Sequence, residues 1–211
     1  MQHTPRRIEA ADCARIYTAL AAGAHDLTGA RLAAIVTLAH GAALDLSELL
    51  AIRLRRTLDL DSPRRWTLRR PCLLPMARGR AAFMPEAARA TVEAWIRAAA
   101  AERITHWPPP PRALLFSDAA GAALSPRTVQ HQFTKLQEAA NTARRYRFSD
   151  LRHDAISRYA RAARSPSLTA QYARISERSA LVYLPPRARA SIVDLAEHAR
   201  AWTDLLDPVL D

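Results

Sequence analysis

Residues 147–183 read RFSDLRHDAISRYARAARSPSLTAQYARISERSALVY, and this stretch decides how the rest of the chain is understood. Arg152 stands 31 residues ahead of Tyr183. Between them lie two helix-length segments parted by Ser165-Pro166, so that the arginine and the tyrosine can fold back toward one site. A guanidinium fork suits a phosphate, because it is planar, always charged and able to hydrogen-bond it bidentately. A tyrosine hydroxyl is a candidate nucleophile once something activates or orients it. The same residues also fit a plainer account, in which Arg152 opens an amphipathic helix and Tyr183 is a half-buried aromatic.

The chain around this stretch has 211 residues, enough for one large domain or two small ones with a substantial core. Hydrophobic residues make up 49% and there are only 5 glycines, a balance that favours helices. Lys+Arg number 31 against 20 Asp+Glu, for a formal charge of +11. Lys135 is the one lysine among those cations; the others are arginines. Such an excess favours a polyanionic partner, nucleic acid first, over a membrane or a small-molecule substrate. Cys13 and Cys72 have no metal-ligand spacing, and with no His/Cys cluster or Gly-rich phosphate loop the expectation is no metal and no cofactor. No charged-then-apolar leader follows Met1, and the longest apolar run, Leu32 to Ala43, is interrupted by His40 and too short to span a bilayer. A cytoplasmic protein is expected.

Apolar spacing predicts a helix over 9–21, a second from a Thr28 cap to Gly41, and a third from near Ser47 into Arg53, Arg55 and Arg56. From Arg64 to Pro85, Trp66, Leu68, the run Cys72 to Leu74 and Phe83 lie among arginines with Pro71, Pro75 and Gly79 as punctuation, which predicts two or three short strands. Helix returns from Pro85 through Val92, Trp95 and Ile96 to about Ala101. Pro108 to Pro111 is a stiff connector, Leu114 to Phe116 a short apolar run, and Asp118 to Gly121 a turn. Ser125 caps a helix with Pro126 at its first position and Val129, Phe133 and Leu136 on one face. After Tyr183, Ile192, Leu195 and Trp202 mark a last helix. The expected fold class is mainly α with a small antiparallel β-sheet, as one domain over 1–211.

Three segments in this order resemble the catalytic domain of tyrosine recombinases, the phage integrase family. Ser47 to Leu54 (SELLAIRL) is similar to the helix after the family's first active-site arginine. Leu115-Phe116 followed by Leu124-Ser125-Pro126-Arg127-Thr128-Val129 is similar to the approach to its next motif. Asp150-Leu151-Arg152-His153 resembles the core of its His-x-x-Arg motif, and Ser179 to Tyr183 its tyrosine segment. The resemblance implies the family's catalytic-domain fold, double-stranded DNA as partner, and attack by Tyr183 on a phosphodiester to leave a 3′-phosphotyrosine. No metal is used in that mechanism, so cationic side chains must stabilise the charge on the phosphorus.

Residue by residue, the second arginine falls on Arg152 and the nucleophile on Tyr183. The later histidine falls near Arg174, and the histidine of His-x-x-Arg on Ser149. The first arginine's place, two residues before Ser47, holds Asp45, while Arg31 in Thr28-Gly29-Ala30-Arg31 lies too early and is read as a decoy. The sheet lysine has no counterpart; Arg78 or Arg80 stands in that hairpin. Catalytic candidates are therefore Tyr183, Arg152 and Arg174, and DNA-binding candidates are Arg53, Arg78, Arg80, Arg127, Arg145 and His153. Losing one preorganised donor costs about 10²–10³ in rate, so three functions stay open. They are a cleaving recombinase of a bacterial mobile element, a cleavage-impaired DNA-binding accessory factor, and an Arg-rich helical adaptor for protein or RNA. The family's amino-terminal DNA-binding domain is expected to be absent, and the segment 186–206 to mediate self-association on DNA or to close its own core.

Overall fold

The computed structural model describes residues 7–59, 67–70, 72–76, 80–102 and 109–185. Trp66, Arg78, Pro108 and the sequence-predicted helix at 186–206 lie outside the described residues. The chain divides into two compact units, residues 6–155 and residues 156–211 with 1–5.

In the larger unit, α1 (Ala10–Gly23) buries Ile16 and Leu20, and α2 (Leu27–Gly41) is buried without interruption from Ala30 to Ala39. A helix that is apolar all round belongs inside the fold; α2 packs along α5 (Glu86–Ala101), which brings Val92, Trp95 and Ile96 to it. Asp26, not Thr28, caps α2, its carboxylate accepting from the Gly29 amide at 2.6 Å. The tight entry also dictates Gly29, because a Cβ there would stand 1.7 Å from the Gly23 carbonyl oxygen.

The third sequence-predicted helix is broken in two: α3 (Leu46–Leu50) and α4 (Leu54–Thr57). Between them Arg53 forms an antiparallel bridge with Leu114, closed by Leu54 N–H to the Ala113 carbonyl at 3.0 Å and Leu115 N–H to the Ile52 carbonyl at 2.8 Å. Long-range pairing thus overrides the local helical spacing. A second bridge, Leu58 with Leu68, precedes the hairpin β1 (Leu73–Pro75) and β2 (Ala81–Phe83), whose register is Leu73 on Phe83, Leu74 on Ala82 and Pro75 on Ala81. α6 (Pro126–Ala139) starts at the expected cap, the Ser125 hydroxyl accepting from the Thr128 amide at 3.0 Å, and buries Val129, Phe133 and Leu136. The start of α7 (Phe148–Ala163) is held by an edge-to-face contact of Phe133 with Phe148 at 5.5 Å.

The smaller unit contains the end of α7, α8 (Pro166–Ala173), α9 (Glu177–Ala180) and a 3₁₀ turn at Leu181–Tyr183. Its serines act as local rules demand: Ser165 and Ser176 each cap the helix that follows. Tyr159 stacks on Tyr172 with ring centroids 4.2 Å apart. Among the described residues no helix is long and apolar enough to cross a membrane. The architecture is the expected one, mainly helical with a small antiparallel sheet.

Candidate functional site

The sequence Asp45-Leu-Ser-Glu48 is a capping box. The Asp45 carboxylate accepts from the Glu48 amide at 2.8 Å, and the Glu48 carboxylate accepts from the Asp45 amide at 3.0 Å. Ala43, fully buried with a left-handed φ of 49°, turns the chain from α2 into this cap. Both carboxylates are thereby fixed by the start of a short helix, and both are presented to Arg152. Arg152 Nη1 donates to Glu48 Oε2 at 2.7 Å and stands 3.5 Å from Asp45 Oδ2. The arginine side chain is 16% exposed and Glu48 13%, whereas Asp45 is 47% exposed. Arg80 reaches Glu48 from the hairpin side at 3.9 Å. Burial pushes the Asp45 carboxyl upward, but the Ser47 hydroxyl, the Glu48 amide and Arg152 outweigh it and hold the group below its ordinary value. Asp45 is therefore ionised at neutral pH.

Asp45 and Arg152 border a cleft of about 450 Å³. α7 contributes Ser149, Arg152 and His153, the residue before it contributes Arg147, and α6 contributes Gln130 and Thr134. The Arg147 amide donates to Asp150 Oδ2 at 2.8 Å, which fixes the helix start, while its side chain is exposed and has no carboxylate partner among the described residues. The loop leading to it is anchored on α1. Asp12 accepts from the Ala143 amide and from the Tyr146 hydroxyl, each at 2.9 Å, and Tyr146 Oη in turn accepts from the Glu9 amide at 3.3 Å. The Ala143 amide above all, with Tyr146 and Arg15, holds the Asp12 carboxyl below its ordinary value against burial.

A second polar chain steadies the same helix. Tyr17 Oη lies 2.9 Å from His40 Nδ1, and His40 Nε2 lies 2.9 Å from Asp154 Oδ2. A neutral ring donates from Nε2 to Asp154 and accepts the tyrosine proton at Nδ1. A protonated ring donates from both nitrogens, since a hydroxyl can accept as readily as donate. Either form is satisfied, and α1, α2 and α7 are joined two residues after Arg152. Sequence reasoning did not connect His40 with Asp154.

The other predicted residues fall as follows. Arg31 is buried, donating from Nη1 to the Ser117 carbonyl at 2.7 Å with its guanidinium 5.9 Å from the Trp95 ring centre; burial lowers its pKa from the ordinary value. It does not line the Arg152 cleft. Arg53 is exposed and donates to the Arg112 carbonyl at 2.6 Å. Arg127 is exposed on the first turn of α6, and Arg145 is exposed and paired with Glu138 at 2.8 Å. Arg78 lies outside the described residues. In the smaller unit, Arg174 caps α8 in a left-handed conformation and donates to the Tyr172 carbonyl at 3.1 Å, and Tyr183 is half-buried in the 3₁₀ turn. The structure thus gathers Arg152, His153, Arg80 and Ser149 about Asp45 and Glu48, and adds Arg147, which the sequence reading had not chosen. Its signal was available: the third cation of Arg144-Arg145-Tyr146-Arg147, directly before a helix start.

Solved structures of Xer recombinases share this fold. The XerA recombinase matches with a TM-score of 0.65 and 14% identity, over 93% of this chain and 65% of that one. The XerH recombinase in a post-cleavage complex with a palindromic difH substrate matches with a TM-score of 0.65 and 14% identity, over 95% of this chain and 54% of that one. Its pre-cleavage complex with difH matches at 0.66 and 14%, over 94% and 53%. The chain therefore spans between about half and two thirds of the proteins it matches, and at this identity the likeness is one of fold. No curated protein is significantly similar to it. The sequence model of the phage integrase family matches residues 6–173, ending just before Arg174 and Tyr183. Matched by that model over well more than half of its length, and with a fold like that of the Xer recombinases, the chain belongs to the phage integrase family.

Proposed function

We propose that this chain is a duplex-DNA-binding protein acting in site-specific recombination, in which strand cleavage through Tyr183 is strongly reduced. The observation that carries this reading is the pairing of Arg152 with Glu48 and Asp45. The guanidinium suited to grip a scissile phosphate is flanked by two carboxylates, one of them, Asp45, standing where the family resemblance places the first active-site arginine. A negative charge in that place opposes the charge that builds on a pentavalent phosphorus, where a preorganised donor contributes about 10²–10³ in rate. DNA binding is supported by the family, by a net charge of +11 and by the open cation Arg147 on the cleft. On this reading the chain forms one catalytic-type domain, works beside DNA in the cytoplasm or on a mobile element, and self-associates through 186–206.

A reading with cleavage retained has its own support, because Arg147 shares the cleft with Arg152 and can supply the missing positive charge. A nicked suicide duplex separates the two. Salt-sensitive binding that is equal in wild type and Tyr183→Phe, with at most a trace of covalent adduct, is expected. An abundant adduct that disappears in Tyr183→Phe would establish cleavage instead. Failure to bind any duplex would remove DNA from the function altogether.

A further inference from the structure

The β1–β2 hairpin carries its apolar side outward. Leu74 and Ala82 are buried, so their strand neighbours Leu73, Pro75, Ala81 and Phe83 stand on the opposite face. Leu73 is 38% and Phe83 55% exposed, and the two are direct cross-strand partners. A scattered exposed leucine or phenylalanine needs no explanation, but this pair adjoins a cationic hollow. A cleft of about 310 Å³ is lined by Arg56, Arg69, Arg70 and Arg80 together with Leu73 and Pro75, and among the described residues no carboxylate lines it. The Leu58–Leu68 bridge and the bond from the Arg69 amide to the Thr57 carbonyl at 2.9 Å bring Arg69 and Arg70 beside Arg56.

Among the described residues, Arg56, Arg69 and Arg70 have no carboxylate partner, and Arg80 has the long contact to Glu48, which is bonded more closely to Arg152. Four like charges around one hollow are stabilised by a polyanion. Phosphate alone does not account for the apolar pair. Proteins that enter a DNA groove commonly combine arginines on the backbone with Phe, Leu or Pro wedged against a base step, which unstacks and kinks the duplex. Leu73, Pro75 and Phe83 are side chains of that kind, on a two-stranded ribbon with the arginines beside them.

We propose that this hairpin face is a duplex-DNA contact that opens a base step, with Arg56, Arg69, Arg70 and Arg80 on backbone phosphates and Leu73 and Phe83 against the bases. It rests on the DNA-binding reading above but assigns a surface and an action that reading does not contain. The test measures binding of the full chain to random-sequence duplex DNA, intact or carrying one unpaired nucleotide, by fluorescence anisotropy at graded salt. Wild type should prefer the bulged duplex, whose step is already open. The double substitution Arg69→Ala, Arg70→Ala should reduce the salt slope by about 2, since each phosphate contact contributes roughly 0.9. Phe83→Ala should leave the slope unchanged, weaken binding by roughly tenfold and abolish the bulge preference, while Phe83→Tyr should keep it. Circular dichroism establishes that each variant is folded. An unchanged bulge preference in Phe83→Ala, or an unchanged slope in the double variant, overturns this proposal while leaving the DNA-binding reading intact. Absence of duplex binding by wild type overturns both. Tighter binding to RNA or to an acidic peptide than to duplex, lost in the same variants, assigns the face to another partner.

Discussion

Replacing Asp45 by asparagine removes one charge from the Arg152 cleft and little else. Asparagine caps helices as well as aspartate does, so its side-chain oxygen can keep the Ser47 and Glu48 bonds now made at 2.7 and 2.8 Å. Two unit charges 3.5 Å apart, as Asp45 and Arg152 stand, attract by roughly 1 kcal/mol in water-like surroundings and about 5 kcal/mol at an effective dielectric of 20. Asp45 is 47% exposed, so the lower figure applies and the loss to folding stability is at most about 1 kcal/mol. A phosphate seated on Arg152 is repelled by the same carboxylate over a similar distance. Removing that repulsion should tighten duplex binding by about 1 kcal/mol, or roughly fivefold. Anisotropy titrations of Asp45→Asn against wild type should show this gain at low salt, and the gain should shrink as salt is added. The Asp45 pKa is depressed below 3.8, so the pair's contribution to stability is fully present above that value and is lost as pH falls below it. Wild-type affinity should therefore show no gain from Asp45 protonation at mildly acidic pH. Equal or weaker binding by a well-folded Asp45→Asn would refute the electrostatic account of the cleft.

Two further outcomes concern the smaller unit. Arg164 is exposed at the end of α7 with a left-handed φ of 50°. Glycine there should stabilise by about 0.5–1 kcal/mol, the relief of roughly 1–2 kcal/mol of strain less the greater entropy of the unfolded chain; a lower urea midpoint for Arg164→Gly would contradict this. Burial pushes the Tyr172 hydroxyl up from 10.0 to about 12, with Arg174 opposing and Tyr159 adding to the shift. A raised pKa stabilises below the unfolded value and is lost as pH rises through the folded one, so about 2–3 kcal/mol should disappear between pH 10 and 12. Tyr172→Phe should flatten that alkaline limb in urea titrations, and an unchanged limb would exclude Tyr172 as its source.

What could be read in advance was what neighbours in sequence decide for one another. Ser125-Pro126 starts α6 because a hydroxyl and a ring with fixed φ act within one helical turn, and the apolar spacing of Val92, Trp95 and Ile96 selects the inward face of α5. The order of the three family-like segments was legible for the same reason, whereas the burial of Arg31 was not. The break between α3 and α4 was not, since it depends on Arg53 meeting Leu114 across 61 residues. Nor was the link from His40 to Asp154, separated by 114 residues.

The same division runs through the stretch from Arg147 to Tyr183. Its sequence alone marks two helix-length segments parted by Ser165-Pro166, with an arginine near the start of the first and a tyrosine beyond the second. Elsewhere in the chain Asp45, and within the stretch Ser149, stand where the family resemblance leads one to expect an arginine and a histidine. Tertiary structure decides what Arg152 does with its charge. Glu48 lies 104 residues away and reaches Arg152 at 2.7 Å, because the capping box aims both carboxylates of α3 at α7. A guanidinium next to water would be fully open to phosphate; one already held by carboxylates must be shared with them, and only the folded chain brings those carboxylates to it.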